Sequence, residues 1–124
     1  MGKFKKVLLV EDEKNIILGV KTCLEVANYE VIVVEDGEKA IEAVVRGKPD
    51  LILLDLMLPK MDGFSVCQEL KRREDTSSIP IIILTAKVEE ESRQRALEAG
   101  ADSYMTKPFR PEELWQEIKK FFPN

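Results

Sequence analysis

The sequence predicts a single doubly wound α/β domain, with five parallel strands between two layers of helices. Three observations carry this. Short apolar runs alternate with segments of helical spacing five times along the chain. The runs are apolar throughout instead of alternating with polar residues, as strands of a parallel sheet covered on both faces must be. At 124 residues, 44% hydrophobic and 34% charged, the chain has the size and composition of one core, so one domain over residues 1–124 is expected, with its core at about 5–122.

The elements follow in order. Val7–Val10 reads as the first strand, and Ile16, Ile17, Val20, Leu24 and Ala27 mark a helix after it. Tyr29–Val34 is rich in β-branched residues and reads as the second strand. Asp36-Gly37 then breaks the chain before a helix carrying Ala40, Ile41, Val44 and Val45, with Asp36 as its N-cap or turn residue. Pro49-Asp50 turns into a third strand, Leu51–Leu54, and Asp62-Gly63 opens a helix with Phe64, Val66, Cys67 and Leu70. Thr76-Ser77-Ser78 is loop, and Pro80 precedes a fourth strand, Ile81–Leu84. A helix over 88–99, a short strand over Ser103–Met105 and a helix over Pro111–Phe122, with Leu114, Ile118 and Phe121 on one side, complete the alternation. Five strands suit the flavodoxin-like (βα)5 order 2-1-3-4-5, in which ligands bind at the carboxyl ends of strands 1 and 3, where the strand order reverses.

Charge and cysteine usage exclude several classes. A net charge of −4 and a pI near 5.0 leave no basic footprint for nucleic acid. Lys3, Lys5 and Lys6 form the one basic cluster near the start, and their expected role is solubilising. Cys23 and Cys67 lack metal or redox spacing and read as small core residues in a reducing compartment. No apolar run has the length of a membrane span or a signal peptide, so a cytoplasmic location with no membrane contact is expected.

The chemistry lies just past the strand ends. Glu11-Asp12 follows the first strand, Asp55 the third, Thr85-Ala86 the fourth and Lys107-Pro108 the fifth. Glu35-Asp36 follows the second, but that strand is at the edge and the pair is set aside. Three carboxylates within about 4 to 6 Å of one another repel by several kcal/mol per pair, and a divalent cation relieves them. Oxygen donors without a histidine anywhere in the chain favour Mg2+ over Ca2+ and argue against zinc. Lys107 as a point charge, the Thr85 hydroxyl and the Ala86 N–H then complete a site for an oxyanion, and phosphoryl is the one that Mg2+ and lysine commonly share. Taken singly, each residue has a plainer reading. An acid after a strand is a helix cap, a threonine ending a strand is structural, a lysine before proline is surface and Met57 is core. Their joint placement on one rim favours the site.

Over nearly its whole length the chain resembles the receiver domain of two-component response regulators, of the chemotaxis-regulator kind. The segments that carry the resemblance are Val7-Leu8-Leu9-Val10-Glu11-Asp12-Glu13, Asp50 to Pro59, Met61-Asp62-Gly63, Leu84-Thr85-Ala86-Lys87 and Gly100 to Phe109. The resemblance implies that Asp55 accepts a phosphoryl group from a histidine kinase or a histidine phosphotransfer protein. It implies Mg2+ at Asp12, Asp55 and the Met57 carbonyl, with Glu11 acting mostly through water, and phosphoryl oxygens held by Lys107 and Thr85. A cis Lys107–Pro108 bond is implied too, as is a switch in which Thr85 moves toward the phosphoryl group and Tyr104 turns inward. A downstream protein or output domain would read the face of helix 4, strand 5 and helix 5. Without the resemblance, Tyr104 reads as an exposed strand residue.

Two departures stand out: Glu11 where the family more often has aspartate, and a fourth helix whose Glu89 to Arg95 stretch has no large apolar residue. Such a helix buries little and suits a switch surface or a solvated face. Glu117 stands near where winged-helix DNA-binding regulators carry a basic residue, which argues against that ancestry, and Trp115 is expected on the same surface or against helix 4. Helix 1 around Ile16, Ile17 and Val20 would meet the phosphodonor, or those residues are core. The last helix ends about two residues from the end of the chain, so no output domain is expected within it. A phosphorylation-independent docking module is the main rival. A haloacid dehalogenase-type hydrolase needs a second aspartate where Met57 stands, and a flavodoxin needs a Ser/Thr/Gly-rich loop where Glu11-Asp12-Glu13-Lys14-Asn15 stands. The expected protein is a switch that promotes only its own phosphorylation and dephosphorylation, not an enzyme.

Overall fold

The structure, a computed structural model, describes residues 5–122. Lys3 of the basic cluster lies outside them. The elements are β1 (Lys6–Val10), α1 (Lys14–Val26), β2 (Glu30–Val34), α2 (Gly37–Gly47), β3 (Leu51–Leu54), α3 (Gly63–Arg72), β4 (Ile81–Thr85), α4 (Glu90–Glu98), β5 (Ser103–Thr106) and α5 (Pro111–Lys119). All strand pairs are parallel, in the order β2-β1-β3-β4-β5. This is the flavodoxin-like doubly wound fold that the apolar runs predict.

The alternation of side chains along each strand feeds two cores. Leu8, Val10, Ile52, Leu54, Ile81 and Ile83 face Ala40 and Val44 of α2, Val66 and Leu70 of α3 and Ala96 of α4. Val7, Leu9, Leu51, Leu53, Ile82 and Leu84 face Val20 and Leu24 of α1 and Leu114 and Ile118 of α5. Strands β3 and β4 are buried along their whole length, whereas β2 is half exposed because it lies at the edge.

Helix starts follow capping chemistry where a cap exists. Asp36 accepts from the Lys39 N–H at 2.8 Å and Asp62 from the Ser65 N–H at 2.9 Å, each satisfying an amide that the first helical turn leaves free. The N-cap of α1 is Glu13, with no side-chain capping bond, so the cap reading does not explain Glu11 or Asp12.

Four expectations need correction. Helix α5 ends at Lys119, short of Phe122, whose ring instead packs 6.1 Å from that of Tyr29. Helix α4 starts at Glu90, not 88, and buries only Ala96. Trp115 faces neither α4 nor the surface beside it. Its indole N–H donates to the Cys23 carbonyl at 2.9 Å, one of the last four carbonyls of α1, which have no helical N–H ahead of them. Cys23 is accordingly half-buried, while Cys67 is fully buried and its thiol is pushed up to about 11 by burial. Among the described residues no helix is long and apolar enough to cross a membrane.

Candidate functional site

The parallel register brings the carboxyl ends of β1, β3 and β4 level, with Val10 opposite Leu54 and Leu54 opposite Ile83. The residues that follow therefore meet at one edge. They line a cleft of ≈ 500 Å3, with Glu11, Asp12, Asp55, Met57, Thr85, Ala86 and Lys107 in its wall. One carboxylate oxygen each from Glu11, Asp12 and Asp55 lies within 4.8 Å of the others. Asp55 and Glu11 are buried and Asp12 is exposed, so the cluster opens to solvent on the Asp12 side. The Glu35-Asp36 pair is not part of it.

Lys107 enters from the β5–α5 loop, where its bond to Pro108 is cis. Its ammonium sits 2.7 Å from Glu11 Oε1 and 3.8 Å from Asp55 Oδ2. The lysine is thus the counter-charge of the cluster and is held chiefly by Glu11. The other Glu11 oxygen accepts from the Glu13 N–H at 3.3 Å. Burial pushes the Glu11 carboxyl above its ordinary range; the Lys107 hydrogen bond opposes that rise and the Asp55 charge adds to it.

Asp55 is held by backbone on both sides. Its N–H donates to the Val10 carbonyl at 3.1 Å, and its Oδ1 accepts a long bond, 3.4 Å, from the Met57 N–H. Met57 itself is 61% exposed, which excludes the core reading for that side chain. Below the loop, Gly63 donates to the Leu56 carbonyl at 3.0 Å, and a Cβ there would come within 2.5 Å of the Asp55 carbonyl oxygen. Thr85 is fully buried and its hydroxyl oxygen accepts from the Lys87 N–H at 3.3 Å. Tyr104 is buried too, which excludes the exposed-strand reading. Its hydroxyl donates to the Lys87 carbonyl at 2.9 Å and its ring lies under the Arg93 guanidinium, 5.9 Å away. Thr85 and Tyr104 therefore both bond the backbone of Lys87 in the same short loop.

A second cavity of ≈ 290 Å3 adjoins the cleft between α1 and the β5–α5 loop, with Ile16, Gly19, Val20, Cys23, Phe109 and Pro111 in its wall. Ile16 and Val20 line this groove and also pack into the core, whereas Ile17 only packs. Two features escaped the sequence reading. The groove depends on which face of α1 the core leaves free, and the pairing of Lys107 with Glu11 ahead of Asp55 depends on how the three side chains settle in the cleft. Neither has a signal in residue order.

Comparison with known proteins agrees with this geometry. Residues 7–119 match the family model described as the response regulator receiver domain. The alkaline phosphatase synthesis transcriptional regulatory protein PhoP of Bacillus subtilis is 48% identical over 115 residues, which are 93% of this chain and 47% of that protein. The phosphate regulon transcriptional regulatory protein PhoB of Pseudomonas aeruginosa is also 48% identical, over 93% of this chain and 50% of its own length. The chain spans about half the length of these relatives. Both of these relatives are named as transcriptional regulatory proteins. Among solved structures, a receiver domain of a Pseudomonas aeruginosa sensor histidine kinase, with a magnesium ion coordinated in its active site cleft, superposes with a TM-score of 0.91. It is 33% identical, and the match covers 98% of this chain and 100% of that one. The BeF3-activated receiver domain of Klebsiella pneumoniae RstA gives 0.90 at 31% identity, covering 97% and 100%. With the strand order, the carboxylate cluster and the whole-length match in agreement, the chain belongs to the receiver domains of two-component response regulators.

Proposed function

We propose that Asp55 accepts a phosphoryl group from a histidine kinase or a histidine phosphotransfer protein, in a Mg2+-dependent reaction that switches the face formed by α4, β5 and α5. The observation that carries this reading is the convergence of Glu11, Asp12 and Asp55 within 4.8 Å beside the Lys107 ammonium. An all-oxygen set fits a hard dication, and the magnesium-bound receiver from Pseudomonas aeruginosa supports Mg2+ in particular. Asp12, Asp55 and the Met57 carbonyl would hold the ion, with Glu11 reaching it through water. Bound there, it would neutralise the acids and the oxygens of the incoming phosphoryl group.

An Asp55 carboxylate oxygen attacks phosphorus in line with the phosphorus–nitrogen bond of the donor phosphohistidine. That bond breaks, and the imidazole nitrogen leaves with its electron pair. Lys107 swings from Glu11 toward the phosphoryl oxygens, and the Thr85 hydroxyl and Ala86 N–H donate to them. As Thr85 moves toward the phosphoryl group its oxygen draws away from the Lys87 N–H, so the loop that Tyr104 also holds responds to phosphorylation. The output is a shift in population of that surface, read by a downstream protein or output domain. The groove along α1, opening beside Lys107, has the position and apolar wall to seat the donor. The protein acts in the cytoplasm, as one receiver domain over residues 1–124, and turns over no metabolite.

Phosphotransfer profiling tests the donor. Labelled histidine kinases from the source organism are mixed with the protein, and rapid transfer from one of them, abolished by a divalent-cation chelator, is expected. Transfer that is indifferent to the chelator would remove the metal from the mechanism. One observation favours a second reading, a module that docks without phosphorylation: Tyr104 is already turned inward. Equal partner affinity before and after phosphorylation would select it.

A further inference from the structure

On the phosphoacceptor reading above, we propose that Gly37, in the turn between β2 and α2, is a positioning residue for the loop that carries Asp55 and Met57. Its neighbour Asp36 caps α2, and neither residue belongs to the carboxylate cluster. The contacts of the glycine go further. Its N–H donates to the Pro59 carbonyl at 3.4 Å, and Lys60 Nζ lies 3.9 Å from Asp36 Oδ2. A Cβ on Gly37 would overlap the Met61 carbonyl oxygen and stand 2.7 Å from Met61 Cβ.

The loop bends to make this contact. Lys60 has a φ of 69°, left-handed for a residue with a side chain, and the Met61 N–H folds back onto the Pro59 carbonyl at 2.8 Å. Gly63 holds the same loop from below, where a Cβ would meet the Asp55 carbonyl oxygen at 2.5 Å and Leu56 Cα at 2.6 Å. The segment between Asp55 and Met61 is thus gripped between two glycines, and Gly37 also lies against α3, where a Cβ would stand 2.9 Å from Val66 Cγ2. Helix formation does not account for Gly37, because alanine is the better helix former and the cap belongs to Asp36. The close approach does. A side chain at Gly37 pushes on Met61, and Met61 is joined through Leu58, Pro59 and Lys60 to Met57, whose N–H touches Asp55 Oδ1.

The test compares Gly37→Ala with Gly47→Ala, which lies in the same helix with nothing within 4 Å of an added Cβ. Acceptance from acetyl phosphate with Mg2+ is measured against donor concentration. Gly37→Ala is expected to lower the maximal rate between about tenfold and a hundredfold, with the half-saturating donor concentration unchanged. Gly47→Ala is expected to match wild type. The core truncation Val44→Ala separates stability from positioning, since it weakens α2 packing without adding an atom at the turn that meets the Met61 carbonyl, and it should not slow acceptance. A wild-type rate in Gly37→Ala, or an equal slowing in Val44→Ala, overturns the proposal. Absence of acceptance in wild type would instead remove the phosphoacceptor reading. Should Gly37→Ala not fold, amide NMR of wild type decides: the Gly37 signal shifts on phosphorylation and the Gly47 signal does not, and an unmoved Gly37 signal overturns the proposal.

Discussion

Asp55 follows four fully buried residues, and its charge is tolerable only because other groups answer it. Lys107 is that answer among the described residues, and it leans toward Glu11 more than toward Asp55. Replacing it with alanine leaves three acids with no counter-charge. Lys107→Ala is expected to lose about 2 kcal/mol of stability at pH 7 without divalent cation. That is less than removal of one partner from a fully buried pair costs, because the cleft is open at Asp12. Urea unfolding measures it, and added Mg2+ should restore part of the loss. The identities of the cluster were legible in the sequence because apolar runs fix strand ends, and strand ends fix which residues reach the rim. The pairing was not legible. Whether a lysine bonds Glu11 or Asp55 depends on tenths of a nanometre, as do the Gly37 contact and the Trp115 bond to Cys23.

At the scale of elements, α4, β5 and α5 combine one weakly packed helix with firm local ties. Helix α4 contributes Ala96 alone to the buried core, whereas Glu117 of α5 accepts a hydrogen bond from the Ser103 hydroxyl of β5. Burial alone would push the Glu117 carboxyl up, but its bonds to Ser103 and Lys120 outweigh that and hold it below the ordinary range. A carboxyl with a depressed folded-state pKa stabilises the fold above its unfolded value, and that stability is lost as pH falls through the folded one. Glu117→Gln should therefore cost about 1 kcal/mol at pH 7. Denaturant unfolding over a pH series should find the difference from wild type vanishing in acid; a difference independent of pH would show that the charge is not what matters. Element types and order followed from periodicity, while ends such as that of α5 did not. Phe121 and Phe122 continue the apolar pattern, but they serve it from a turn beyond the helix.

Across the whole molecule, two cores on opposite faces fix a sheet whose carboxyl edge gathers residues from three strands and the loop after a fourth. The fold was legible because strands without polar alternation permit few other architectures. The site was legible because that architecture names its own binding edge. The groove along α1 and the grip of two glycines on the acceptor loop arise only when elements pack, so residue order carried no trace of them.

The central claim is that this edge exists to phosphorylate Asp55. Intact-mass spectrometry of wild type and Asp55→Asn after incubation with acetyl phosphate and Mg2+ tests it most directly. The account predicts one added phosphoryl group on wild type, lost when the metal is chelated before the donor is added, and none on Asp55→Asn. An unmodified wild type, or a phosphorylated Asp55→Asn, would contradict it.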